Sequence, residues 1–474
     1  MSRYLRFDPY LLALILLTAL FVYIKIPYLS LPYYWDEAWV YGPAVRMMEA
    51  NELSLMPDAI PPYYSRGHPL LFHFMGALWM RMFGTSPFSG HLFALFLSLG
   101  LIIALYAFGT LLHSKTVGIL ASTVLVLQPI FLAQSVLLLP EVQLSLFSLL
   151  AVGFYIRKNW VWYMIFATAA LFTKETGIVV VATTGIWFLA ENLYKEKSSF
   201  SLKHFLLRVL YLAIPVILIA AFFLLQKKMH GWYFFPEHID YLNNDSRSFA
   251  NKLESFAAYL FIYWGRNFLT ALLVVALSLH FFYKRFRNNQ LNIPLMILGT
   301  YIVLFLLVSS KNFYSDRYTM AMMAPFILIT VILSVENIRK KILLYLVFTA
   351  YLLVQVFVYI PQKTSSDHNL GYADAVKISQ EAVQYCLDQK YFNKKIFTHF
   401  LMIHNLTNPN CGYISEKEIF RDATASYSPD TELCIFTNLE GQEDHERIRS
   451  EGRFRLVKRF EKGNAWAEIY KAVR

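Results

Sequence analysis

Two adjacent carboxylates, Asp36 and Glu37, stand among aromatic residues in the segment YYWDEAWVYGPAVRMMEA. A pair so placed can take a proton from an acceptor hydroxyl or ligate a divalent cation. It can equally cap the helix that follows, where negative charge complements the helix dipole. Arg66 and His68 come next, in RGHPLLF. A histidine beside proline can orient a substrate or bind a metal, and it also fits a polar helix start with proline in its first turn. Glu141 heads the apolar run of VLLLPEVQLSLF. A carboxylate there must reach water, pair with a cation or serve a site, because an unpaired charge at a membrane boundary is costly. Lys174 and Glu175 lie in LFTKETGIVV. The lysine can neutralise a phosphate, pair with its neighbour or snorkel to headgroups. Asp316, Arg317 and Tyr318 lie in KNFYSDRYTMAMMAP. A guanidinium donates in a fork that matches phosphate, although an Asp316–Arg317 pair would also serve as a headgroup anchor.

The elements that must position these residues are membrane helices. Hydrophobic residues make up 57% of the 474 and charged residues only 16%. A soluble fold of this size could not cover that much apolar surface, so lipid must act as the solvent. A helical crossing needs roughly 20 apolar residues, and that rule yields about eleven spans. They are Pro9–Leu29, Phe88–Leu112, Val117–Ser135, Glu141–Ile156, Trp160–Thr173, Gly177–Ala190, Phe205–Leu225, Phe256–Tyr283, Ile293–Ser309, Met320–Val335 and Ile342–Ile360. Pro69–Met82 is read as an interfacial helix. The first span follows two arginines but no small-residue cleavage site follows it, so it is read as uncleaved.

Orientation follows from charge. With the N-terminus inside, the inner loops are His113–Lys115, Arg157–Lys158, Tyr194–Arg208, Lys284–Arg287 and Arg339–Lys341, and every one is basic. This also accounts for much of the net charge of +11 without nucleic acid. The outer side then holds Ser30–Ser86, Gln226–Ser255, Ser310–Thr319 and everything after Pro361. In that tail polar residues return. Short apolar runs (IFTHF, LCIFTN) alternate with the helical pattern of ADAVKISQEAVQYCLDQ, and FRLVKRFEKGNAWAEIYKAV reads as a hairpin turning at Lys-Gly-Asn. The expected organisation is a membrane domain over 1–360, with the Asp-Glu pair in its first outer loop 30–86, and a small α/β extracytoplasmic domain over 361–474. Cys386, Cys411 and Cys434 have no metal-ligand spacing, and outside the cell one disulfide could join two of them.

Asp36, Glu37, His68, Glu141, Lys174 and Arg317 come from separate segments, yet this topology sets them all at one membrane face. Carboxylates together with Lys and Arg suit a reaction on an anionic, lipid-linked substrate in the outer leaflet. WDEAW, GHPLLF with its following Phe-Gly turn, PEVQL, LFTKETG and SDRYTMAMMAP run in order from about residue 30 to 330. In that order they resemble the motifs of the protein-mannosyltransferase-like, or ArnT-like, GT-C glycosyltransferases. This chain departs from the family where His68-Pro69-Leu70 replaces a frequent His-Pro-Pro and where Glu141 replaces a frequent Asp.

The resemblance implies an inverting membrane glycosyltransferase. It would move a hexose or pentose from a polyprenyl-phosphate donor to a lipid, glycan or protein acceptor on the extracytoplasmic face, in a bacterial inner membrane with the site towards the periplasm. Asp36 would be the base, with Glu37 supporting it or binding the acceptor. Lys174 and Arg317 would bind the donor phosphate, and Arg66, His68, Glu141 and Tyr318 would contact substrate. No cofactor is required by the motifs, and dependence on a divalent metal stays open. The competing reading, a transporter or flippase of a lipid-linked or anionic substrate, would favour charges near the membrane midplane and repeated halves. The spans carry few central charges, and no repeat is evident.

Overall fold

The computed structural model describes residues 8–193, 201–282, 289–338 and 340–473. Twelve principal helices form its bundle: α1 (Pro9–Leu29), α2 (Pro87–Leu112), α3 (Lys115–Val126), α4 (Pro140–Ile156), α5 (Trp160–Thr173), α6 (Ile178–Leu193), α7 (Leu202–His230), α8 (Phe249–Phe261), α9 (Arg266–Phe282), α10 (Asn289–Lys311), α11 (Met320–Asn337) and α12 (Lys341–Val354). Local sequence explains many of the starts. Asp8 and Ser86 accept backbone N–H bonds as caps of α1 and α2, and Pro9, Pro87 and Pro140 occupy first helical positions that need no donor. α11 is the central helix, packed against α2, α3, α4, α9 and α10, whereas α1, α7 and α12 turn large apolar side chains outwards. An outward apolar belt of this kind belongs against lipid.

Among the described residues, seven helices are long and apolar enough to cross a membrane, and the α8–α9 pair makes an eighth if counted as one span. α3, α4 and α5 are shorter apolar helices. Two of the expected spans are therefore corrected. Phe256–Tyr283 is not one straight helix, because α8 and α9 meet at a bend of 84°. Trp264 and Gly265 adopt left-handed conformations there, at φ of 58° and 77°, which no continuous helix accommodates. Val117–Ser135 is likewise interrupted: α3 ends at Val126 and a short helix resumes at Pro129. Proline lacks an N–H and disfavours helical geometry in the residue before it, here Gln128. At the break the Gln128 side chain donates back to Val124 O at 3.1 Å and across to the Tyr351 hydroxyl at 2.6 Å. The expected interfacial stretch is a helix, Leu71–Phe83, packed on Gly42–Ala50 and α2.

The basic loops expected inside gather at common ends of the bundle. His113 contacts Glu336 at 2.9 Å and Lys115 contacts Asp8 at 2.5 Å, which joins the α2–α3 link to the start of α1 and the end of α11. Lys158 pairs with Glu191 at 2.5 Å, and Arg208 lies over the Trp160 ring. Residues 194–200 of one expected inner loop, all of Lys284–Arg287, and Arg339 lie outside the described residues.

After the last bundle helix the chain forms α13 (Tyr372–Asp388) and a five-stranded sheet of order β2-β1-β3-β5-β4. β1 (Ile396–Phe397) pairs in parallel with β2 (Ala423–Thr424) and β3 (Leu433–Thr437), and β4 (Phe454–Lys462) and β5 (Ala465–Ala472) form the expected hairpin. Lys462 pairs with Ala465, so the turn itself is Gly463-Asn464. IFTHF is strand only in its first two residues, since a helix begins at Phe400. This unit is seated on the first outer segment: Tyr33 N–H donates to Cys411 O at 2.9 Å, and Phe400 meets Trp39 edge to face at 5.0 Å.

No disulfide forms. Cys386, Cys411 and Cys434 are free and buried, on separate elements. Burial pushes each thiol up to about 12, and a protonated thiol is a poor nucleophile. In the folded protein a membrane-permeant maleimide should therefore label none of the three, whereas all three should label in SDS, with unchanged gel mobility under reducing conditions. Rapid labelling of Cys411 in the folded state would show that the C-terminal unit does not sit on the first outer segment.

Candidate active site

Trp35 holds a left-handed conformation (φ 51°) and ends the extended run from the first helix. The chain then enters a π-helical turn, Glu37–Tyr41, that leads into Gly42–Ala50. Only glycine fits at position 42, because a Cβ there would lie 2.6 Å from Glu37 O and 2.7 Å from the Tyr33 ring. This tight turn sends the two adjacent carboxylates to different places. Asp36 faces a cavity of about 830 Å³ at the end of the bundle opposite the basic loops.

Glu37 does not reach that cavity. It is fully buried, accepts the backbone N–H groups of Tyr34 (3.1 Å) and Leu138, and lies 3.2 Å from His91 Nε2. Of the two roles expected of Glu37, supporting Asp36 or binding the acceptor, direct contact with a molecule in the cavity does not fit this placement. Its carboxylate clamps the first outer segment to the approach of α4, a positioning role.

Every other site residue expected from sequence lines the cavity: Asp36, Arg66, His68, Glu141, Lys174, Arg317 and Tyr318. Arg317, buried at the start of α11, is the hub. Its Nη2 donates to Asp36, its Nη1 donates to Asp367 Oδ2 at 2.7 Å, and its Nε lies 3.4 Å from Glu141 Oε1. Glu141 extends from the first turn of α4 and also accepts from Lys174 Nζ at 3.2 Å. Lys174 sits in the link between α5 and α6, 4.0 Å over the Tyr318 ring. Burial opposes its charge, but Tyr318 and Glu141 beside it outweigh that, and the ammonium is held above its ordinary value. Glu175, the sequence neighbour of Lys174, pairs instead with His68 Nδ1 at 2.8 Å. Asp316 likewise turns to His368, at 3.3 Å, rather than to Arg317. The local ion pairs weighed from sequence, Lys174–Glu175 and Asp316–Arg317, are thus replaced by partners from distant segments.

Asp367 has no signal in the sequence beyond lying just past the last bundle helix. Its backbone carbonyl accepts from Gln134 Nε2 at 2.8 Å, so the segment is tied to the bundle next to the hub. His238 of the second outer loop lies beside His68, with ring centroids 5.2 Å apart. Burial, with His68 and Arg66 adding to it, pushes His238 down to about 3. Glu440 closes the outer side, from the link after β3.

A divalent metal ion does not fit these carboxylates as arranged. Among the described residues no three His, Cys, Asp or Glu side chains are grouped to hold one, and Asp36, Asp367 and Glu141 are taken by Arg317 and Lys174. What the arrangement offers is two cations able to bind an anionic group beside a carboxylate able to accept a proton.

Residues 67–221 match the family described as dolichyl-phosphate-mannose-protein mannosyltransferase. No curated protein matches the sequence. Among solved structures, ArnT from Cupriavidus metallidurans bound to undecaprenyl phosphate is similar with a TM-score of 0.57 at 10% identity, over 96% of this chain and 97% of that one. The same protein in its apo state gives 0.55 at 10% identity, with the same coverage of 96% and 97%. The Archaeoglobus fulgidus oligosaccharyltransferase in the apo form gives 0.52 at 11% identity, over 92% of this chain and 70% of that one. The fold is shared with these GT-C membrane glycosyltransferases, and residues 67–221 are similar to the protein-mannosyltransferase family, as the motifs implied.

Two outcomes follow. Arg317→Ala leaves three carboxylates facing one another around a buried space and should cost about 3–5 kcal/mol, the usual cost of breaking a buried pair. Thermal unfolding in detergent reads this, and an unchanged midpoint would mean that water already solvates the cluster. For His238, the unfolded chain binds a proton between about pH 6.5 and pH 3 that the folded chain does not, so its contribution is full above that window and is lost as pH falls through it. The midpoint should drop from pH 6.5 to about pH 4.5, and His238→Gln should flatten that slope. Equal slopes would show that His238 carries a proton in the folded state.

Proposed function

We propose that the chain transfers a monosaccharide from a polyprenyl-phosphate carrier to an acceptor hydroxyl at the outer face of a membrane, inverting the anomeric centre. The observation that carries this reading is the Asp36–Arg317 contact with Lys174 alongside. A group able to take the acceptor's proton and the groups able to hold a phosphate meet at one point. The undecaprenyl phosphate bound to ArnT of the same fold supports a lipid-linked donor.

Arg317 is already committed to Asp36, Asp367 and Glu141, so a donor phosphate binds by exchange. Replacing Asp36 on Nη2 keeps the guanidinium neutralised while Asp367 holds its orientation. It also frees the Asp36 carboxylate from its ion pair, so that an oxygen is open to the acceptor's proton. The acceptor oxygen then attacks the anomeric carbon as its proton passes to Asp36. The bond from that carbon to the phosphate oxygen breaks, and its electron pair leaves on the phosphate, where Arg317 and Lys174 stabilise the charge. Attack opposite the phosphate inverts the centre. Glu141 aligns the two cations, Tyr318 flanks Lys174, and His68 and Arg66 border the substrate space.

Residues 1–360 are assigned the catalytic membrane domain and 361–474 an outer domain closing the site. A bacterial inner membrane, with the site towards the periplasm, suits the short links between helices. With purified full-length protein and a panel of polyprenyl-phosphate hexose and pentose donors, release of polyprenyl phosphate is expected. Asp36→Asn should reduce transfer by about 10²–10⁴-fold, the range for a general base, without lowering the unfolding midpoint below function. Near-normal transfer would reject Asp36 as the base. No release from any donor, with substrate flux in liposomes, would replace the reading with transport.

A further inference from the structure

Resting on the transferase reading above, we infer that the acceptor is an uncharged saccharide, bound at the outer end of the cavity between the first outer segment and the C-terminal unit.

The two ends of the cavity differ in chemistry. Towards the bundle it is walled by Leu144 of α4, Phe305 of α10 and Ala321 of α11, apolar side chains of the bundle helices. Towards the C-terminal unit it is walled by Trp35, Trp39 and Phe400, with Ser365, Ser366 and Glu440 beside them. A donor on a polyprenyl chain enters from the apolar end, which leaves the aromatic end to the acceptor. The rings of Trp35 and Trp39 both meet Phe400 edge to face, at 5.6 and 5.0 Å, and all three remain partly exposed. Fixed aromatic surface of this kind covers the apolar C–H face of a pyranose at low entropic cost. Glu440 takes the Leu401 N–H on Oε2, at 3.2 Å, and its Oε1 has no hydrogen bond to the protein among the described residues. One carboxyl oxygen is thus available to a sugar hydroxyl.

Charge argues against an anionic acceptor. Among the described residues three permanent cations line the cavity, Arg66, Lys174 and Arg317. The donor phosphate takes the last two. Arg66 alone stands near the aromatic end, but it is paired with Glu237 at 2.6 Å and sandwiched between Trp39 and Phe235, at 4.8 and 4.7 Å from their ring centres. A phosphorylated acceptor would lie beside Asp36 and Glu440 and, among the described residues, could gain a cation only by displacing Glu237 from Arg66, and such like-charge juxtaposition selects against a partner. A saccharide with only hydroxyl groups meets no such penalty.

The test measures release of polyprenyl phosphate by the full-length protein in detergent from a donor that it turns over. Release is followed alone and with octyl hexosides and neutral disaccharides, with a phosphorylated glucosamine disaccharide lipid, or with a Ser/Thr-rich peptide. Neutral saccharides should stimulate release at least about tenfold and carry the transferred sugar. Phe400→Ala should raise the saccharide concentration for half-maximal stimulation about tenfold, with Glu440→Gln, which preserves shape, raising it in the same direction. Stimulation by the phosphorylated lipid or the peptide instead, by none of the neutral saccharides, or equally in both variants, overturns the inference. Absence of release from every donor overturns the transferase reading on which it rests, and the two failures are thereby distinct.

Discussion

The buried guanidinium of Arg317 joins parts of the chain that sequence keeps far apart. It draws Asp36 from the first outer segment, Glu141 from the head of α4 and Asp367 from beyond the last bundle helix to a single point. A guanidinium out of water is stable only when its donors are met by acceptors, and carboxylates out of water need cations in the same way. Each of these four groups therefore fixes the others. Lys174 adds a second cation on Glu141, whose one carboxylate contacts both. Such a network is a weak source of net stability but a strong constraint on arrangement, since any one segment out of place strands a charge.

The helix breaks serve the same end of the molecule. The bend at Trp264-Gly265 and the interruption before Pro129 bring non-helical backbone close to the cavity end of the bundle. Side chains cover the polar groups so exposed: Gln128 donates to Val124 O before the Pro129 break, and Lys25, buried in α1, donates to Leu132 O beyond it. Irregular backbone in a membrane protein is tolerated where protein, rather than lipid, surrounds it.

The C-terminal unit completes the cavity rather than standing clear of it. Its Phe400, the segment after β3 and the strap containing Asp367 form the outer wall, while the links at the bundle's end supply Lys174 and Arg317. The proposed division of labour between a lipid-linked donor and a saccharide acceptor follows from that two-sided construction.

Much of this was legible in the sequence because it depends on composition and on short-range pattern. Apolar runs require helices in lipid, basic links point one way, and caps and prolines mark helix starts. The hairpin was readable from Gly463-Asn464 between two apolar-polar runs. The gathering of Asp36, His68, Glu141, Lys174 and Arg317 at one end also follows from topology alone, because a helix has two ends and alternation decides which is which. The tertiary structure decided the partners. Sequence neighbours suggested Lys174 with Glu175, Asp316 with Arg317, and Asp36 acting with Glu37. Side chains in a tight turn or at a helix terminus point in different directions, and each met a partner from another segment instead. Asp367, His238 and Glu440 were invisible for a related reason: nothing in their local sequence registers a cavity built by residues tens to hundreds of positions away.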